Sequence, residues 1–69
     1  MKKDIKKLLR LRQSREKNYN EIGKICTEIQ YYYVFNEHHP KLVYLQNALK
    51  RLLETNVKLT MLINDLERE

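Results

Sequence analysis

"PKLVYLQNALKRLLETNVKLTMLINDLER", residues 40–68, decides the fold. Leu42, Leu45, Leu49, Leu52, Asn56, Leu59, Ile63 and Leu66 alternate three and four apart without a break. That is the heptad spacing of a helix packed along one stripe, with Leu at each d position and one Asn at an a position. Leu53 and Leu62 widen the stripe, as a core-facing helix requires. Pro40 suits the first helical position, where its missing N–H would be unpaired anyway. The pattern predicts one helix over 40–68.

Working back from Pro40, His39 is pushed out of the α region by the proline that follows it. A preceding helix must therefore end near Asn36, leaving "NEHH" (36–39) as a turn. A connection this short folds two helices back on each other. Upstream, Ile5, Leu8, Tyr19, Ile22, Cys26, Ile29 and Tyr33 fall on a second stripe spaced three and four apart, with Arg12 and Arg15 at its middle positions. The spacing predicts a single rod over 3–35. Asn18-Tyr-Asn-Glu21 also has the form of a capping box, which would start a new helix at Tyr19. The chain of 69 residues has one Gly and one Pro, and 33% of it is charged. The class is all-α, and the whole chain, 1–69, reads as one helical hairpin resembling an antiparallel coiled coil.

With the turn centred near residue 37 or 38, facing residues sum to roughly 75. Ile29 then faces Leu45, Ile22 faces Leu52, Cys26 faces Leu49, and Tyr19 faces Asn56 as a polar core layer that sets register at a cost in stability. Toward the open end Arg12 and Arg15 fall opposite Leu59 and Ile63. Either the arginine stems lie over these residues or a second chain covers them. At the turn end, "YYYVF" (31–35) winds through about 500° at 100° per residue, so its side chains point to every face of a helix. Tyr31 and Phe35 are thus left for something other than the second helix. The expected protein interface is Tyr31, Phe35, Val57, Leu59, Leu62 and Ile63, and the expected assembly is a homodimer, a four-helix bundle of two hairpins, or a complex with a larger protein.

The net charge of +5 is unevenly placed. Residues 1–17 carry eight basic and two acidic side chains, whereas residues 18–69 carry six basic and seven acidic. Lys3, Lys6, Lys7 and Arg10 share one helical face and are candidates for contact with phosphates or an acidic partner, so nucleic acid is a second candidate partner. No catalytic, metal-binding or cofactor-binding residues are expected. Glu37, His38 and His39 diverge on a turn with no further ligand cluster in the sequence. Cys26 lies on an apolar stripe with no cue for a base, as an inert core thiol does. A thin hairpin also offers no enclosed pocket for a small-molecule substrate. With one cysteine and no apolar run near the roughly 20 residues of a membrane span, the expectation is a non-enzymatic protein of the reducing cytoplasm, or of the nucleus if it binds nucleic acid in a eukaryote.

"PKLVYLQNALKRLL", residues 40–53, resembles the second helix of basic helix–loop–helix transcription factors, which often reads P-K-V-x-I-L-x-x-A. The heptad that follows resembles that of their zipper subclass. The stretch of the Glu-Arg-x-Arg-Arg run expected in that family reads "REKNY" here, and the Phe and Leu expected in the first helix are Cys26 and Ile29. The resemblance covers about a fifth of the chain. It implies a dimeric helix–loop–helix and does not extend to the base-reading residues.

Overall fold

The computed structural model describes residues 4–68. It has two helices, α1 (Ile5–Phe35) and α2 (Lys41–Arg68), packed against each other as a hairpin with principal extents of 54 × 14 × 12 Å. Helix α1 is unbroken over 31 residues, so Asn18-Tyr-Asn-Glu21 does not start a new helix. Asp4 begins it, its Oδ1 accepting from the Lys7 N–H at 3.0 Å. An aspartate there satisfies one of the donors that the first turn leaves unpaired.

The turn is built around His39. Its Nδ1 accepts the Lys41 N–H at 3.0 Å, and its carbonyl accepts the Leu42 N–H at 3.0 Å. This places His39 at the cap of α2 and Pro40 at the first position after it, where proline is tolerated. Tyr32 of α1 stacks on the His39 ring, with centroids 4.6 Å apart and planes at 29°. His39 is thus half-buried and structural, while His38 is exposed.

The two helices interlock through eight layers. On α2 the inward residues are those of the leucine stripe, with Leu42, Leu45 and Ile63 buried. On α1 they are Leu8, Arg15, Ile22 and Ile29 at the a positions, and Leu11, Asn18, Ile25 and Tyr32 at the d positions. All are half-buried except Asn18, which is only 7% exposed. Asn56 Nδ2 donates to Asn18 Oδ1 at 3.2 Å, which sets the register. Facing core residues therefore sum to 74, giving Ile29 with Leu45, Ile22 with Leu52, Ile25 with Leu49 and Leu11 with Ile63.

Two expectations are corrected by this register. Tyr19 is not in the polar layer: it is 55% exposed, and Asn18 takes its place opposite Asn56. Ile63 is not an exposed interface residue: at 1% exposure it is the most deeply buried side chain described, and Leu59 is half-buried. The cause is the rotation of α1 about its axis. The rotation brings Leu11 inward in place of Arg12, so α1 does supply apolar cover at the open end. Arg12 moves to the edge and pairs with Glu67 at 2.8 Å. Arg15 stays on the stripe, half-buried opposite Leu59, where its stem can shield carbon while the guanidinium reaches water.

Candidate interaction surfaces

Around a heptad helix the positions follow the order a, e, b, f, c, g, d. In an antiparallel pair, e of one helix therefore flanks e of the other, and g flanks g. Three cross-helix contacts obey this rule. Gln46 Nε2 donates to Tyr33 Oη at 3.1 Å and Arg12 pairs with Glu67, both e to e. Lys41 lies 3.7 Å from Glu28, g to g. The hairpin is thus a two-helix plate with two broad faces of different chemistry.

The e-side face is apolar. Tyr19, Cys26 and Tyr33 line it from α1, and Leu53 and Val57 from α2. Both tyrosines, Leu53 and Val57 are exposed. Ile5 and Leu9 continue it toward the open end. A shallow groove runs along the α2 edge of this face over Leu49, Leu53 and Val57, with Gln46, Lys50 and Glu54 at its rim. Charges here cancel: Arg12 is paired with Glu67, and Glu16 and Lys50 carry opposite signs.

The g-side face is basic, with exposed Tyr31, Phe35, Tyr44 and Leu62 set among its cations. Small residues open grooves between the helices. One is lined by Glu21 and Ile25 of α1 with Tyr44, Asn47, Ala48 and Arg51 of α2. The next is lined by Ser14, Lys17 and Asn18 with Thr55 and Leu59. Lys7 and Arg10 lie on this side of α1, with Lys6 at its outer edge. The file they begin continues to Lys17 and, beyond the basic segment 1–17, to Lys24. Lys3 lies outside the described residues.

The expected interface residues do not form one patch. Val57 belongs to the apolar face. Tyr31 and Phe35 sit at the turn end on the other side, their rings 4.9 Å apart, with Phe35 71% exposed. Leu62, a g position, lies on the basic side of α2 beside Met61, Lys58 and Asp65. Leu53, Tyr19 and Tyr33, exposed on the same face as Val57, are not among the expected interface residues, because in the sequence they are indistinguishable from a widened core stripe.

No protein-family model matches the chain, and comparison with curated proteins and with solved structures found no match.

Among the described residues, no three His, Cys, Asp or Glu side chains form a group able to hold a metal ion. No described helix is long and apolar enough to cross a membrane. The grooves named above are open along the plate.

Proposed function

We propose that the protein is a non-enzymatic assembly or interaction protein that works by helix packing, its e-side face closing on a second copy to form a four-helix bundle. The supporting observation is the pairing of Tyr19 and Tyr33 with Leu53 and Val57 on one exposed, charge-balanced face. Contiguous apolar surface on this scale marks an interaction site. Area also favours self-association. A face 54 Å long and about 20 Å wide, two helix diameters of roughly 10 Å, presents on the order of 1,000 Å². A standard stable interface uses roughly 800 Å² per partner. Size adds a further reason, since one hairpin this small buries little apolar surface alone and gains from association.

Light scattering over a range of concentrations tests the reading. The expected mass is twice the chain mass of 8.5 kDa, and Leu53→Lys should return it to that of one chain. A wild-type protein that stays folded and monomeric at high concentration would overturn it. So would a dimer indifferent to both Leu53→Lys and Val57→Lys.

A further inference from the structure

We infer that the g-side face binds single-stranded nucleic acid, holding phosphates on two files of cations and a base against Tyr44. The first observation is where the charge sits. Lys7, Arg10, Lys17 and Lys24 of α1 and Arg51 and Lys58 of α2 all fall at c and g positions. On that face they outnumber the carboxylates Glu21, Glu28 and Asp65, of which Glu28 pairs with Lys41 and Asp65 with Arg68. The apolar face carries no net charge, so the excess of the described chain is concentrated on this side. Arg10, Lys17 and Lys24 recur every seven residues, which is about 10.5 Å along the axis at 1.5 Å per residue. They make a straight file suited to a phosphate backbone running along the hairpin.

The second observation is the groove beside that file. Tyr44 occupies the same heptad position as Arg51 and Lys58, one heptad nearer the turn, and is 71% exposed. Ala48 is too small to fill the space next to it, which leaves a groove floored by Ile25, Ala48 and Leu52 and walled by Tyr44 and Arg51. Asn47 and Glu21 open into it and supply a donor and an acceptor for a base edge. An aromatic ring interleaved with a cationic track is how proteins hold single strands: the track follows the backbone while an unpaired base stacks on the ring. A duplex keeps its bases stacked internally and would leave Tyr44 and the groove unused. An anionic membrane surface would use the cations but give Asn47 and Glu21 nothing to bond. The face stays outward when the apolar face is covered, so the inference does not depend on self-association.

The test is anisotropy of a labelled mixed-sequence strand of about 20 nucleotides, a length of one to a few binding-site sizes, added to the full chain. Its duplex and vesicles of phosphatidylglycerol serve as rival probes. Single-strand binding should fall at least tenfold between about 50 and 200 mM salt, as it does when several phosphates are neutralised. Tyr44→Ala should weaken single-strand binding by roughly tenfold, the usual effect of removing one stacking ring. Lys17→Glu with Lys24→Glu should weaken it further. All three positions are exposed, and circular dichroism of each variant checks that the helices persist. Absence of strand binding at low salt would overturn the inference, as would duplex binding as tight as single-strand binding. Vesicle binding without strand binding, or affinity unchanged in Tyr44→Ala, would do the same.

Discussion

The amide of Asn56 donates to the side-chain oxygen of Asn18 across the middle of the hairpin at 3.2 Å. Asn18 is buried, Asn56 half-buried, and among the described residues no buried side-chain polar atom lacks a partner. A lone Asn in a leucine stripe normally trades stability for register. Here its partner changes the sign of one expectation. Asn56→Leu strands the Asn18 side chain in the core and should cost about 1–3 kcal/mol. Replacing both residues by Leu should recover that loss and exceed wild type, while admitting additional registers or oligomers. Urea unfolding of the two single variants and the double variant measures the coupling. Additive effects would mean that the two amides do not act together.

Ile63 is the tightest point of the core. Ile63→Ala should cost about 2–5 kcal/mol, the range for removing a buried aliphatic side chain. That is a large share of the roughly 5 kcal/mol a domain of this size commands. The variant should be largely unfolded near room temperature by circular dichroism. A cooperative transition close to that of wild type would show that Ile63 is less enclosed than described.

His39 should matter more than a loop histidine does. Its Nδ1 satisfies the Lys41 N–H and its ring lies on Tyr32. His39→Ala removes both and should lower stability by about 1 kcal/mol, as loss of a helix cap does. His39→Asn keeps an acceptor at the cap and should recover part of it. Thermal melts of the pair separate capping from stacking; equal losses in both variants would assign the effect to the Tyr32 stack alone.

Phe35 and Leu53 should behave in opposite ways. Phe35 rests on Tyr31 at the turn end, away from the apolar face. Phe35→Ala should leave the folding midpoint within about 0.5 kcal/mol, as exposed substitutions do, and should leave self-association intact. Leu53→Lys should abolish association and lower the apparent melting temperature, because a dimer's stability depends on protomer concentration. Sedimentation of both variants at one concentration compares them. A dimer lost in Phe35→Ala and kept in Leu53→Lys would move the interface to the aromatic turn.

The two-helix hairpin, the span of α2 and the phase of its core stripe were legible in the sequence. Eight stripe positions agree, Leu fills every d position, and Pro40 with the residues before it leaves one place for the turn. The orientation of α1 was not. Two stripes fit that helix, sharing Leu8, Arg15, Ile22 and Ile29. They differ in whether Leu11, Asn18, Ile25 and Tyr32 or Arg12, Tyr19, Cys26 and Tyr33 complete the face. The alternative residues are one position, about 100°, apart around the helix; because the shared residues stay on the face, exchanging one set for the other turns α1 by only about half that, and local hydrophobicity barely separates them. Only packing against α2 decides. Asn56 calls for a short polar partner at its own level, which Asn18 supplies. Glu67 draws Arg12 to the edge, and the His39 cap takes Tyr32 as its stacking partner. That choice sends Tyr19 and Tyr33 outward beside Leu53. The apolar face and the basic face behind it are therefore properties of the packed pair of helices, because which side chains reach solvent depends on a rotation that neither helix specifies alone.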